Sequence, residues 1–225
     1  MKPPSLVLAL SDAPRALVDA AALQFSKPLL RRLPRAGEQH AVMVLPGFLG
    51  DDLGNGPLIR FLRDLGYRAI GWRQGRNLGV GSFEHDQLIA TLDSLSKTGG
   101  GKVSLVGHSL GGIYAREIAR ATPRGIRQVI TLGSPFGQGH HDASHASRLY
   151  ARLNPDNPRG QLNPDPPPVP TTAIYTRGDG IVNWRSSRQS GHHSHVHNIE
   201  VLGSHIGLNV NPAVWYWVAK KLAEH

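Results

Sequence analysis

The stretch Val106-Gly-His-Ser-Leu-Gly-Gly112 decides the interpretation of this chain. It follows a short apolar run at residues 103–106, which is typical of a buried strand, and it leads into residues 110–121, where apolar side chains recur at helical spacing. A strand-to-helix turn this tight strains the backbone of its central residue, Ser109, and glycines leave room where a Cβ would collide. The pattern predicts an elbow that presents the serine hydroxyl above a sheet, at the N-terminus of a helix.

On both sides of this turn, apolar runs alternate with amphipathic segments. The runs predicted to be strands are residues 41–45, 67–72, 103–106, 126–132, 171–176 and 199–202. The segments predicted to be helices are residues 58–65, 82–97 and 110–121, and a last helix that begins at Asn211-Pro212. Because strands that alternate with helices build βαβ units, we predict an α/β fold. It has a mainly parallel sheet of about six strands with helices on both faces.

Two segments lie outside this alternation, within what we predict to be a single domain of residues 1–225. Residues 1–35 form an extension in which residues 12–33 are predicted to be helical. This helix either packs on the main domain or meets a membrane surface. Residues 136–170 are rich in glycine and proline and fit only a short helix near residues 143–153. An insertion of this kind is either a cap-like lid or substrate loop, or an excursion packed on the surface.

The predicted helix in residues 12–33 carries its own apolar pattern. We expect an apolar stripe on this helix and expect Pro28 to end or kink it. The stripe consists of Val18, Ala21, Ala22 and Phe25.

Composition excludes several classes of protein. The chain has 225 residues and no cysteine, so disulfides, thiolate nucleophiles and cysteine zinc sites are excluded. Its net charge is +9, but its cations are not interleaved with aromatic residues, so we expect no nucleic-acid partner. An anionic membrane or lipid surface is a better match for the charge, with plain solubility as the alternative. No apolar run is long enough for a signal peptide or a membrane span, so we expect a cytoplasmic protein with possible peripheral membrane contact.

A serine hydroxyl attacks only when a base takes its proton, and an acid must orient that base. In proteins with this elbow, the acid and then the histidine follow the serine along the chain. His205 is the predicted base, because it lies between the last predicted strand and the final helix. Asp179 is the predicted acid, because it directly follows the strand at 171–176. The other candidate acids are Asp142, Asp156, Asp165 and Glu200.

Two backbone N–H groups are also needed to hold the oxyanion of a tetrahedral intermediate. The first is predicted to be that of Leu110, the residue after the serine. The second comes from the loop Leu45-Pro-Gly-Phe-Leu-Gly50, where Phe48 is the predicted donor and Leu49 the alternative. Aromatic and apolar residues that follow strand ends are predicted to contact the substrate. Of these we select Leu49, Phe136 and Trp184; the alternative is that such residues merely cover the core.

Taken together, these stretches make the chain resemble the α/β-hydrolase superfamily, and within it the small bacterial lipases and carboxylesterases. The matching stretches are residues 44–48, 106–112, 129–135, 178–182 and 203–208. The resemblance implies cleavage of acyl esters through an acyl-serine intermediate, without a cofactor. The same residues could instead transfer the acyl group to another alcohol, as a lipid acyltransferase does, or the fold could serve only for binding. The chain departs from the family in having Pro46 where many hydrolases have histidine, and in its long insertion.

A histidine-rich segment, residues 191–197, remains outside this scheme. On a strand, His193, His195 and His197 would share one face and could hold a metal. Neither a carboxylate nor a cysteine lies nearby, so we expect a solvated segment and no metal. The same holds for His140, His141 and His145 in the insertion.

Overall fold

The computed structural model describes residues 1–36, 40–79, 85–98, 100–137, 143–155 and 163–225. Its six strands are Ala41–Leu45 (β1), Arg68–Gly71 (β2), Val103–His108 (β3), Ile126–Leu132 (β4), Thr171–Tyr175 (β5) and Val196–Glu200 (β6). Its helices are Leu6–Leu10 (α1), Asp12–Leu30 (α2), Asp52–Asp64 (α3), His85–Thr98 (α4), Leu110–Ala121 (α5), Ser147–Leu153 (α6) and Pro212–Ala223 (α7). Single 3-10 turns occupy Pro123–Gly125, Trp184–Ser187 and Ile206–Val210.

All six strands are parallel and lie in the order β2-β1-β3-β4-β5-β6. Side chains alternate between the two faces of the sheet, so β1 supplies Val42 and Val44 to one core and Met43 and Leu45 to the other. The first core is completed by α2, α3 and α7, and the second by α4 and α5. The predicted fold, a parallel sheet of six strands with helices on both faces, is confirmed.

The predicted position of the last strand is wrong by about three residues. β6 begins at Val196 and pairs with β5 as far as Glu200, whereas Leu202 lies beyond it with 89% of its surface exposed. As an edge strand, β6 exposes His197 and Asn198 and therefore lacks the continuous apolar run that marks the central strands.

The predicted apolar stripe of α2 does not pack on the main fold. Val18 is 67% exposed and Phe25 is 87% exposed, whereas Leu23 and Leu30 are buried. The helix turns its apolar side outward because its opposite side carries Asp12, Asp19 and Arg15, which bind loops of the main fold. Pro28 does not end the helix, which continues to Leu30.

Two further predictions fall partly outside the described residues. The short helix of the insertion is α6, within the described residues 143–155, whereas Asp142, Asp156, His140 and His141 lie outside the described residues. Helix α4 is described from His85 onward, so the predicted start at residue 82 lies outside them too. Among the described helices, none combines the length and the apolar character that a membrane crossing requires.

Candidate active site

Ser109 occupies the turn between β3 and α5 with backbone angles of φ +51° and ψ −119°. A positive φ is strained for a residue with a side chain, and the surrounding glycines permit it. A Cβ on Gly107 would overlap the backbone of Gly111 and Gly112, and one on Gly111 would overlap the Leu45 carbonyl. The structure therefore has the geometry predicted from the sequence, with a half-buried serine held above the sheet.

The loop after β1, residues 45–50, lies against this serine. A Cβ on Gly47 would be only 3.1 Å from the Cβ of Ser109. Within the described part of the chain, the Phe48 N–H donates no hydrogen bond. Leu49 donates its N–H to the Asn77 carbonyl at 2.7 Å, which removes it as the alternative oxyanion donor. The Leu110 N–H begins α5 and therefore has no acceptor within that helix.

Asp179 and His205 form a buried pair at the same edge of the sheet. The His205 Nδ1–H donates to Asp179 Oδ2 at 2.7 Å, and the two residues are 4% and 2% exposed. The other carboxylate oxygen of Asp179 accepts from the N–H groups of Ile181 at 3.0 Å and Val182 at 2.6 Å. These bonds fix the carboxylate, and the bond to Nδ1 leaves Nε2 of His205 as the nitrogen able to accept a proton.

His108, which precedes the serine, connects the elbow to the loop of His205. Its Nε2–H donates to the His205 carbonyl at 3.0 Å, and the two imidazole rings are 4.9 Å apart. Within the described residues, neither Ser109 Oγ nor His205 Nε2 has a hydrogen-bond partner. Hydrogen bonds of this kind are often long without substrate and tighten in the complex.

The two imidazoles titrate in opposite directions from their ordinary value. Burial lowers the pKa of His205, but the adjacent Asp179 carboxylate, assisted by Asp12, outweighs burial and raises that pKa above the ordinary value. Burial, together with the neighbouring His205, lowers the pKa of His108 to about 3. His108 therefore stays neutral at pH 7, whereas the environment of His205 stabilises an imidazolium.

Helix α2 holds the loops that carry this pair. The acid loop comprises residues 176–182 and the histidine loop residues 201–207. The buried Asp12 carboxylate accepts from the N–H of Gly180 at 2.8 Å, and from those of His205 and Ile206 at 2.9 Å each. One side chain of α2 thus binds the backbone of both loops at once.

Two further side chains of α2 extend this attachment. Arg15 donates from Nη1 to the Gly178 carbonyl at 2.6 Å and to the Gly203 carbonyl at 3.2 Å. Asp19 accepts from the Ser204 N–H at 3.0 Å and from the Ser204 hydroxyl at 2.8 Å. The polar side of α2 is therefore the support on which the acid loop and the histidine loop rest.

Asn77 supports the loop after β1, residues 45–50, which we call the predicted oxyanion loop. Its buried side chain donates to the Pro46 carbonyl at 2.8 Å, and its backbone N–H donates to the Gly50 carbonyl at 2.8 Å. Helix α6 of the insertion packs nearby, where the ring of Tyr150 meets that of Phe48 edge-on, with centroids 5.4 Å apart. The described part of the insertion thus lies directly beside the predicted oxyanion loop.

The three predicted substrate residues have different surroundings. The Leu49 side chain is 45% exposed. Phe136 is buried, and the Arg116 guanidinium lies 3.8 Å from its ring centroid, so it packs in the interior. Trp184 stacks on Tyr175 with ring centroids 5.7 Å apart. Substrate contact by these residues stays a prediction.

Among the residues that the structure describes, no group of three or more histidine, aspartate and glutamate side chains could hold a metal ion. His193 and His195 lie before β6 rather than on it, with ring centroids 6.1 Å apart.

The supporting roles of Asp12, Arg15, Asp19 and Asn77 were not predicted from the sequence. The first three stand at positions i, i+3 and i+7 of one helix, which places them on one side of it. This polar stripe could have indicated the buried side of α2. Asn77 carried no comparable signal, since its partners are backbone groups of a distant loop.

The comparisons with known proteins agree with this architecture. The family model described as "PGAP1-like alpha/beta domain" matches residues 84–209, which is more than half of the chain and includes Ser109, Asp179 and His205. No curated protein matches the chain in sequence.

Similar solved structures include a metagenome-derived lipolytic enzyme, with 15% identity, a TM-score of 0.62, and coverage of 86% of this chain and 97% of that one. A monoacylglycerol lipase of Paleococcus ferrophilus has 16% identity and a TM-score of 0.56, with 83% and 96% covered. A thioesterase domain from the curacin biosynthetic pathway has 17% identity and a TM-score of 0.54, with 84% and 92% covered. At these identities the likeness establishes the fold alone. The chain belongs to the PGAP1-like α/β domain family, and it shares its fold with these hydrolases.

Proposed function

We propose that this protein is a serine hydrolase that cleaves carboxylic esters of small molecules or lipids through an acyl-serine intermediate. One observation carries the proposal. A buried Asp179–His205 pair, joined at 2.7 Å, lies at the sheet edge that also bears Ser109 in a strained elbow. A buried carboxylate that orients an imidazole next to a serine is the arrangement that activates a hydroxyl nucleophile.

In the proposed reaction, Ser109 Oγ attacks the ester carbonyl carbon while His205 Nε2 takes the hydroxyl proton. Asp179 keeps the imidazole in the tautomer with Nδ1 protonated and stabilises the imidazolium. The carbonyl oxygen becomes an oxyanion, which accepts hydrogen bonds from the N–H groups of Phe48 and Leu110.

The intermediate then collapses. The C–O bond to the alcohol breaks, His205 returns its proton to the leaving alkoxide, and the acyl group remains on Ser109. Water then attacks the acyl carbon while His205 takes one of its protons. The bond from the acyl carbon to Ser109 Oγ breaks, and His205 returns that proton to Oγ, so the carboxylic acid leaves and the free enzyme is regenerated.

The hydrogen bonds that hold the loops in place also support this proposal. A tetrahedral intermediate is stabilised best by groups that are already in position before the reaction. Asp12 holds the histidine loop and Asn77 holds the oxyanion loop, each through bonds to backbone atoms. The names of similar structures, which include a lipolytic enzyme and a monoacylglycerol lipase, favour ester substrates.

The insertion around α6 is proposed to cover the substrate. Tyr150 contacts Phe48, so α6 lies next to the residue proposed as an oxyanion donor, where a bound ester would lie. The Asn154 side chain also donates to the Leu78 carbonyl at 2.8 Å, one residue beyond Asn77. This part of the chain is therefore proposed to select the acyl or alcohol group.

The experiment is the turnover of p-nitrophenyl esters of increasing chain length by the wild type and by Ser109→Ala and His205→Ala. Each variant is expected to lose several orders of magnitude in kcat, as other serine hydrolases do when this unit is broken (about 10⁶-fold). Matched controls are Ser194→Ala and His192→Ala, which change exposed side chains of the same types and should keep wild-type turnover. Near-wild-type turnover by either site variant would refute the proposed mechanism.

A further inference from the structure

We propose that the outer side of α1 and α2 binds an anionic lipid surface. This side bears seven large apolar side chains, which we call the outer stripe. Their exposed fractions lie between 67% and 87%, and they are Leu6, Val7, Leu10, Leu17, Val18, Phe25 and Leu29. A run of large apolar side chains this exposed marks an interaction site rather than ordinary surface.

The outer stripe is continuous along the helix. In α2, residues 17, 18, 25 and 29 follow the three- and four-residue spacing of one helix side. Ser11 joins α1 to α2 with helical backbone angles, φ −84° and ψ −6°, so α1 leads directly into the longer helix. The side opposite the stripe is fully engaged, since it carries the bonds from Asp12, Arg15 and Asp19 to the main fold.

The charges around the stripe indicate what covers it. Residues 1–36 contain only two carboxylates, Asp12 and Asp19, and both bind loops of the main fold. The exposed charged side chains of this segment are all cationic: Lys2, Arg31, Arg32 and Arg35. An apolar helix face flanked by cations is complementary to the acyl chains and anionic headgroups of a lipid surface.

The same charges oppose a second copy of this chain as the occupant. Two stripes packed against each other would bring the cations of one copy next to those of the other, in either orientation of the helices. The segment has no outward carboxylate with which to compensate them. Like charges held close together destabilise such an interface.

The location of the stripe suits an enzyme that acts on lipid esters. Helix α1 lies against the acid loop, because a Cβ on Gly180 would overlap the Leu8 carbonyl. A lipid surface on the outer stripe would therefore lie beside the sheet edge that carries Asp179 and His205. Lipid binding itself depends on the stripe and its cations, and it can occur whether or not the chain hydrolyses esters.

The test is co-sedimentation with vesicles of phosphatidylcholine, with and without phosphatidylglycerol. We expect the wild type to bind the mixed vesicles and to be released by salt, and to bind the neutral vesicles far less. The double variant Leu17→Ser/Phe25→Ser should lose about tenfold or more in affinity, since it removes two apolar anchors. Arg31→Gln/Arg32→Gln should lose about 25-fold, at about fivefold for each cation.

Matched controls separate the stripe from general effects. Lys102→Gln/Arg124→Gln removes two exposed cations at the amino ends of β3 and β4, the edge of the sheet away from Ser109, and should bind as the wild type does. Leu17→Ile/Phe25→Leu keeps the apolar surface and should also bind. Thermal denaturation confirms that each variant is folded.

Three results would overturn the proposal. The first is that the wild type binds neither kind of vesicle. The second is that it binds neutral and anionic vesicles equally. The third is a dimer in sedimentation equilibrium that Leu17→Ser/Phe25→Ser converts to a monomer, which would assign the stripe to a second copy. None of these measurements uses ester turnover, so failure here leaves the proposed reaction standing.

Discussion

Replacement of Asp12 tests whether α2 holds the active-site loops in place. Its carboxylate is fully buried and accepts three backbone N–H groups, from Gly180, His205 and Ile206. Asp12→Ala leaves all three without an acceptor. Each buried unpaired N–H costs about 1–3 kcal/mol, so the loss in free energy of unfolding should be about 3 kcal/mol even if water partly fills the space.

Asp12→Asn gives the sharper result. The amide keeps the shape of the carboxylate but removes a negative charge that helps to raise the pKa of His205. The proposed reaction needs neutral His205, so activity should rise with pH through that raised pKa. In the Asn variant, this acid limb of the profile of kcat/KM should move to lower pH. The measurement is p-nitrophenyl ester turnover against pH, beside urea unfolding.

Asp19→Asn is the matched control for this prediction. Asp19 binds Ser204 on the same histidine loop and Asn211 at the start of α7, but it is not among the charges that shift the pKa of His205. Asp19→Asn should lower the free energy of unfolding and leave the acid limb of the profile of kcat/KM unchanged. The reasoning is refuted if Asp12→Asn leaves the pH profile unchanged, or if Asp12→Ala changes the free energy of unfolding by less than about 0.5 kcal/mol.

Three other predictions follow from the geometry. Gly111→Ala should abolish folding or activity, because the new methyl group would overlap the Leu45 carbonyl, whereas Gly125→Ala has open space and should yield a soluble protein of unchanged melting temperature. Asn77→Ala should lower kcat for p-nitrophenyl esters by at least about tenfold while KM changes little. The Pro46 carbonyl loses its hydrogen bond, and the predicted oxyanion loop therefore loses its support. An unchanged kcat would contradict that role. His40 should make stability depend on pH, since burial, with smaller effects of Arg127 and His225, lowers its pKa to about 4. The unfolded chain then binds a proton that the folded chain does not. The free energy of unfolding should therefore fall by about 1.6 kcal/mol from pH 6.5 to 5, with a slope that approaches about 1.4 kcal/mol per pH unit once the unfolded imidazole is fully protonated. His40→Gln should flatten this dependence in urea unfolding at the two pH values.

The central strands and the elbow could be predicted because their signals are local. β3 and β4 are buried on both faces and therefore appear as continuous apolar runs. The elbow requires glycine at positions where any Cβ would overlap backbone, so its sequence is tightly constrained. The approach of Asp179 to His205 could also be anticipated, because the two residues follow neighbouring parallel strands, whose carboxyl ends meet at one edge of the sheet.

The supporting contacts could not be predicted because they join distant segments. Asp12 and Gly180 are separated by 168 residues, and no local pattern relates a carboxylate on a helix to an N–H in a loop. In α2, apolar residues at helical intervals favoured packing on the main domain over contact with a membrane surface, because such residues usually face a core. Here the polar side makes the contacts, and Phe25 is left exposed. Periodicity identified the helix but not which of its sides is buried.

Covalent labelling by a fluorophosphonate, followed by mass spectrometry of the intact protein and its peptides, tests the central claim most directly. The account predicts one adduct per chain, located on Ser109, absent from Ser109→Ala and strongly slowed in His205→Ala. It would be contradicted if the folded wild type formed no adduct, as a hydrolase fold kept only for binding would, or if the adduct were on another serine.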